Sequence, residues 1–357
     1  MTTTSEALTA LLGVRYPIMQ APMAGISPPG LAAAVSNAGG VGSLGLGASN
    51  DRQVRDQIAA TRALTTQPFN VNFFCHAEAR ADTQREAAWL RHLRTEFTPF
   101  GVTPPAALRN IYATAVGNDA LLKTLLETRP KIVSFHFGLP DAHWITALRQ
   151  AGIVTMACAT NWVEAAHIEA AGLDAVVAQG FEAGGHRGIF DPTHDDQIGT
   201  FALVRMLVHR SRLPVIAAGG IMDGRGIAAA LQLGAAGVQM GTAFILCPES
   251  SATPAYRAEL SSERAAHTAI TSAISGRPAR GIANRFYALQ GEGAPAVPDY
   301  PIAYDAGKAL HQAAASQGSA AYAAHWAGQA ASLARALPAA TLIQTLVQEW
   351  HDAVGCD

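Results

Sequence analysis

The sequence predicts a (β/α)8 barrel, a TIM barrel, with a small, mostly helical cap inserted after the eighth strand. Three observations predict it. Eight short apolar runs end in glycine or a small polar residue, helical segments lie between them, and the later β-α-β spacings are about twenty residues. The 357 residues suffice for one large domain, or a large domain with an appendage. With 49% hydrophobic and only 15% charged residues, a sizeable buried core is expected.

In chain order the runs are PIMQAP (17–22), GVGSLG (40–45), FNVNFF (69–74), IVSFHF (132–137), VTMACA (154–159), AVVAQG (175–180), VIAAGG (215–220) and GVQMGT (237–242). Most are continuous rather than alternating, as expected of parallel strands covered on both faces. Between them, Asn161 with Glu164 three residues on reads as a capping box. Asp223 opens a helix that Gly234 ends. The longer gap from Phe74 to Ile132 reads as extra helices, broken at Pro104 and Pro105. A doubly wound open sheet also alternates strand and helix, but it carries a GxGxxG turn after its first strand. Here the first strand runs into APMAGISPPG instead. Residues 1–247 thus read as the barrel. The segment 248–307 lacks strand runs and reads as the cap. Residues 308–357 read as C-terminal helices packing back on the barrel, SAAYAAHWAGQAASLARAL and ATLIQTLVQEW, separated by Pro338.

The net charge of -2 and the absence of any lysine or arginine cluster argue against nucleic-acid and anionic-membrane partners. Cys75, Cys158, Cys247 and Cys356 lie far apart with no CxxC pair and read as reduced thiols. The opening MTTTSEALTALLGVRYP has neither a basic n-region nor a sustained apolar h-region, and no stretch approaches a membrane span. A cytoplasmic protein is expected, a monomer or weak dimer.

In such barrels the site sits at the carboxyl ends of the strands. That rule selects Pro22, Met23, Asn72, His136, Thr160, Gln179, Gly219, Gly220, Gly241 and Thr242. The set is poor in carboxylates, which disfavours a hydrolase built on paired acids. Gly219-Gly220 before a helix, and Gly241-Thr242 one strand later, read as a phosphate site of exposed backbone N–H groups. Asn72 and Gln179 offer amide donors and acceptors to a flat polar cofactor, or bond nearby backbone. Gln239 faces either way. In AQGFEAGGHRGIF (178–190), Gly184-Gly185 lets the chain pass close to a cofactor while His186 points into the mouth. Histidine titrates near neutrality and suits proton transfer or anion binding. Glu182 orients it or is solvated. His136 is a second site residue or a core histidine bonded to backbone. His194 with Asp191, Asp195 and Asp196 reads as a polar loop capping the next helix. No HxH or HExxH spacing occurs, so no metal is expected.

These residues carry a resemblance. PIMQAPMAG, FNVNFF, AQGFEAGGHRG, AAGGIMDGRGIAAAL and VQMGTAF, with SGRPARGIANRF, PIAYDAGKALH and HWAGQAASLARALPA, resemble the FMN-dependent nitronate monooxygenases of the class I bacterial and fungal group. The likeness covers nearly the whole chain. It implies FMN at the barrel mouth, contacted by Asn72, Gln179, Gly184, Gly220, Gln239, Met240, Gly241 and Thr242. It implies His186 as the catalytic histidine, with Tyr300, Tyr304 and Lys308 reaching into the substrate pocket. Tyr304 and Lys308 are four apart, so one helix face presents both. The implied reaction oxidises alkyl nitronates, propionate 3-nitronate foremost, with O2 to a carbonyl compound and nitrite. It is a detoxification that needs no NAD(P)H. That substrate's carboxylate would meet Lys308, Tyr300, Arg277 or Arg280, and His186 would be the base if neutral nitroalkanes react. An FMN-dependent NAD(P)H oxidoreductase, a quinone or enoyl-thioester reductase, shares the GGH barrel. The YDAGK and HWAGQ stretches favour the first reading.

Overall fold

The structure, a computed structural model, describes residues 3–355, and Cys356 lies outside them. All eight runs are strands of a parallel barrel. They are β1 (Ile18–Gln20), β2 (Gly42–Gly45), β3 (Phe69–Phe74), β4 (Ile132–His136), β5 (Val154–Ala159) and β6 (Ala175–Gln179). After a two-residue strand outside the barrel, β7 (Gly185–His186), come β8 (Val215–Ala218) and β9 (Gly237–Met240). The neighbour order is β1-β9-β8-β6-β5-β4-β3-β2, and a parallel bridge from Met19 to Val41 brings the two ends together.

The strand sequences explain the layering. In β3, Val71 and Phe73 turn out into the helical shell, while Asn70 and Asn72 turn in. Inside, Asn70 Nδ2 donates to Ser134 Oγ at 2.9 Å, and the backbone N–H of Ser43 donates to Gln20 Oε1 at 2.9 Å. These bonds make a polar interior tolerable. At the amino ends of the strands, Leu8 and Leu12 of the helix Thr3–Leu12 plug the barrel against Met19, Met156 and Ile216. The apolar plug closes one end, and chemistry is left to the other.

Helix starts follow the expected caps in part. Asn161 accepts from the Glu164 N–H at 3.0 Å, and Asp223 from the Gly226 N–H at 2.8 Å. The Glu164 carboxylate does not complete a capping box. It accepts from the backbone and hydroxyl of Thr160 and from the Phe190 N–H. Thr160 is therefore buried away from the mouth, against expectation. The loop around His194 does not cap the helix Thr200–Arg210 either. Glu182 does, its carboxylate accepting from the Thr200 N–H and hydroxyl at 2.8 Å each. Glu182 is thus neither a partner of His186 nor simply solvated.

The cap differs from expectation in three ways. The segment 248–307 contains a hairpin, β10 (Thr268–Thr271) and β11 (Ala279–Ile282), to which β7 adds with Ala279 opposite His186. Four-residue strands with an arginine inside give no readable alternation, and this pairing is purely tertiary. The helix Ile302–Ala315 runs through the expected boundary at 307/308. Residues 319–337 are largely irregular, with one short turn, Ala331–Leu333, despite helix-favouring composition. Backbone docking overrides propensity there: Ile282 N–H donates to His325 O at 2.9 Å, and Gln329 N–H to Glu182 O at 2.9 Å. The gap after β3 does hold helices, Thr83–Phe97 and Asp119–Thr128. The first joins the cap core, where Trp89, Leu93 and Phe97 pack with Phe286, Leu310 and Tyr322. Each such side chain contributes roughly 1.5–3 kcal/mol on burial. The cap is therefore built from two insertions. The closing helix Ala339–Val354 buries Leu342, Ile343, Leu346 and Trp350 in the main core. Among the described residues, no helix is long and apolar enough to cross a membrane.

Candidate active site

A cavity of 610 Å³ lies between the carboxyl ends of the barrel strands and the cap, within the range of small-molecule and cofactor sites. Its floor is Asn72, Gln179, Gly219, Gly220 and the run Gln239, Met240, Gly241 and Thr242. Gly184 and His186 form one wall, and Tyr300, Tyr304 and Lys308 descend from the helix Ile302–Ala315 and the residues before it. The structure thus gathers every residue expected to hold the cofactor, and of those expected at the substrate it gathers His186, Tyr300, Tyr304 and Lys308. Among the described residues, no aspartate or glutamate lines the cavity, and Lys308 is the one lysine or arginine that does. No three His, Cys, Asp or Glu side chains among the described residues gather to hold a metal ion.

His186 is anchored from both sides. Its backbone carbonyl accepts from Gln179 Nε2 at 3.0 Å and from His136 Nε2 at 3.1 Å. Its ring Nε2 lies 2.8 Å from Ser275 Oγ, with Phe137, Tyr300 and Trp326 around it at centroid distances of 5.6, 5.6 and 5.3 Å. Burial lowers its pKa from 6.5 to about 3, helped by the charges of His136 and Arg277, so the ring is neutral. His136 resolves its own alternatives by being both: it lines the cavity and bonds to backbone. A carbonyl only accepts, so His136 carries its proton on Nε2. Burial lowers its pKa to about 4.

The amides divide. Gln179 reaches the wall with both ends engaged, Nε2 on His186 O and Oε1 accepting from the Gly188 N–H at 2.7 Å and from Arg187. Asn72 gives its Nδ2 to Ser134 at 2.9 Å. Gln239 lines the cavity, and its side chain has no partner among the described residues. Thr242 Oγ1 accepts from the Gly328 N–H at 3.0 Å, holding the 319–337 segment over the mouth. Beside it Gly184 is obligatory, since a Cβ there would fall 2.5 Å from Gly328 N.

On the cap side, Lys308 Nζ sits 4.9 Å from the Tyr112 ring centroid and 5.4 Å from that of Tyr304. The Tyr300 hydroxyl is buried without a partner. Burial raises the pKa of Tyr112 and of Tyr304 to about 12, so both remain phenols. Arg277 and Arg280 do not line the cavity. Arg277 donates to the carbonyls of Ile189 and Phe190 and lies 4.3 Å over the Phe137 ring, while Arg280 bonds the Phe181 carbonyl and Thr268. A buried guanidinium must be matched by acceptors, and here backbone supplies them.

The sequence profile of the nitronate monooxygenase family matches residues 5–349. The chain belongs to the nitronate monooxygenase family. It is 57% identical over 354 residues to a nitronate monooxygenase of Paraburkholderia phytofirmans, covering 99% of this chain and 97% of that protein. It is 57% identical over 347 residues to one from Pseudomonas aeruginosa, covering 97% and 99%. Among solved structures it is similar to a nitroalkane oxidase from Streptomyces ansochromogenes, with a TM-score of 0.88, 39% identity, and 98% and 99% coverage.

Several residues of this site escaped the sequence reading. Arg187, fully buried, follows His186 directly and ties β7 down. It pairs with Asp195 at 2.8 Å and donates to the carbonyls of Gln179 and Gly180. The signal was its place in GGHRG. Ser275 stood in SGRPARG without a partner in view. Tyr112 and Trp326 come from segments without regular structure, where no periodicity marks a face. Cys158 also lines the cavity, and burial pushes its pKa up, so it is a thiol.

Proposed function

We propose that this family member is an FMN-dependent nitronate monooxygenase, acting on small alkyl nitronates such as propionate 3-nitronate in a detoxifying role. The observation that carries the reading is the cavity's charge pattern. No carboxylate lines it among the described residues, one ammonium enters it, and a buried phenol without a partner faces a neutral histidine. Such a pocket favours anions, and nitronates and phosphates are both anions.

The floor fits the cofactor. Gly219 and Gly220, at φ 118° and 74°, present bare backbone in conformations that side chains rarely adopt. The helix Gly224–Gln232 already commits two of its first three N–H groups, those of Gly224 and Gly226, to Glu349 and Asp223, so holding the phosphate falls mainly to the loop glycines and to Gly241 and Thr242. Gln239 and Asn72 would meet the polar edge of the ring, Met240 would pack against it, and Gly184 would let it lie close to the wall. Gln179 is read as a brace for His186 rather than as a direct amide contact. FMN, when bound, supplies the redox chemistry that these side chains lack.

The chain's own residues bind and orient the substrate. Lys308 attracts the anion, and a remote carboxylate meets Lys308 rather than Arg277 or Arg280. The Tyr300 hydroxyl donates to a nitro oxygen. His186, neutral and walled by Phe137 and Trp326, receives the carbon-bound proton of a neutral nitroalkane and leaves a preformed nitronate unaltered. The test is an absorption spectrum with oxygen-uptake and nitrite assays, using propionate 3-nitronate against NADH. A yellow protein that consumes oxygen and forms nitrite with the nitronate, and is not bleached by NADH, is expected. A colourless protein that refuses FMN overturns the reading. Flavin bleaching by NADH without nitronate turnover replaces it with an NAD(P)H oxidoreductase.

A further inference from the structure

Ser275 is fully buried in the turn between β10 and β11. Its Oγ lies 2.8 Å from His186 Nε2, 3.2 Å from the Arg277 carbonyl oxygen and 3.3 Å from the Arg277 backbone nitrogen. A hydroxyl has one proton to give and two lone pairs to receive. The Arg277 carbonyl only accepts, and the Arg277 N–H only donates. One arrangement therefore satisfies all three contacts. The hydroxyl donates to Arg277 O and accepts from the Arg277 N–H and from His186 Nε2–H.

We propose that Ser275 is a positioning residue that fixes His186 as its Nε2–H tautomer and so leaves Nδ1 as the free proton acceptor. The opposite tautomer would turn the serine proton toward the ring and take it from the Arg277 carbonyl, at the cost of a buried contact. Neither partner is free to drift. The guanidinium of Arg277 is bound to Ile189 and Phe190, and the backbone of His186 is held by Gln179 and His136. The barrel thus holds the backbone of the histidine, and the cap sets its protonation. A proton arriving at Nδ1 leaves the Nε2–H bond to Ser275 intact, so the ring takes up charge without turning. The tautomer follows from geometry alone, while the use of Nδ1 as a base rests on the function proposed above.

The experiment is long-range 1H–15N NMR of the full chain labelled with 15N-histidine, with H186N assigning the signal. Expected are an Nε2 shift of the protonated type and an Nδ1 shift of the unprotonated type. In S275A the Nε2–H form falls from dominance to a mixture, and S275T, which keeps the hydroxyl, restores it. An Nδ1–H ring in the unmodified protein overturns the proposal, as does a wholly Nε2–H ring in S275A. Neither readout needs flavin or turnover. A colourless protein would sink the proposed function and leave this result standing.

Discussion

The floor of the cavity and its cover are made by opposite means. The floor is backbone and short amides at the ends of the barrel strands, set by the parallel pairing and by Gly219 and Gly220 in backbone conformations that side chains rarely adopt. The cover is aromatic and cationic side chains drawn from the insertion after β3, the helix Ile302–Ala315 and the segment 319–337. A backbone-built floor suits a large cofactor gripped at many points. A side-chain-built cover can be retuned one residue at a time. His186 belongs to both, its main chain braced from the floor and its ring from the cover.

That division can be broken most severely at Arg187. R187M leaves the partly buried Asp195 and two buried carbonyls without their guanidinium partner, and a loss of about 3–5 kcal/mol in urea unfolding is expected. A full-strength variant would show that β7 is held by the hairpin alone. Acid should come next. Burial lowers His186 to about 3 and His136 and His325 to about 4, from 6.5. Below pH 6.5 the unfolded chain takes up protons that the folded one refuses. Stability is therefore complete above that value and declines as the pH falls toward 4. A loss on the order of a few kcal/mol between pH 7 and pH 5 is expected in urea titrations. A flat profile would mean that these rings are not buried neutral.

Smaller effects separate cover from floor. H186N should lower turnover of a neutral nitroalkane by about 100-fold, lower that of the preformed nitronate less, and retain flavin, as spectra and oxygen uptake would show. Equal losses on both substrates would remove the proton-transfer role. K308M should raise KM for propionate 3-nitronate about tenfold at unchanged kcat. R280M should lower the melting temperature while leaving that KM within about twofold, because its guanidinium serves backbone and never meets the cavity. A large KM change in R280M would move the anion subsite.

What was legible in the sequence follows the same line. The barrel strands were readable because a buried parallel strand is a local pattern, an apolar run stopped by glycine. The floor residues came with them, since position on a strand end fixes position in the mouth. The hairpin of the cap was not readable, because TAIT and ARGI pair with each other without alternation, and ARGI gains its second neighbour only from Gly185 and His186, some ninety residues earlier. The segment 319–337 read as helix from its alanines, and only its docking to Glu182, Arg280 and Thr242 shows otherwise. Arg277 and Arg280 were two of the four candidates for the substrate's carboxylate, beside Lys308 and Tyr300. Their acceptors, the carbonyls of Ile189, Phe190 and Phe181, are spread along another stretch of chain and invisible to spacing.

The crossing of Gly184 and Gly328 has a kinetic consequence. Ala327, Gly328 and Gln329 are moored to Arg280, Thr242 and Glu182 by three successive backbone N–H groups. Anything lodged beneath can leave on that side only when all three moorings let go together. The opening frequency of the strap therefore sets an upper bound on release by that route, whatever the affinity of the guest.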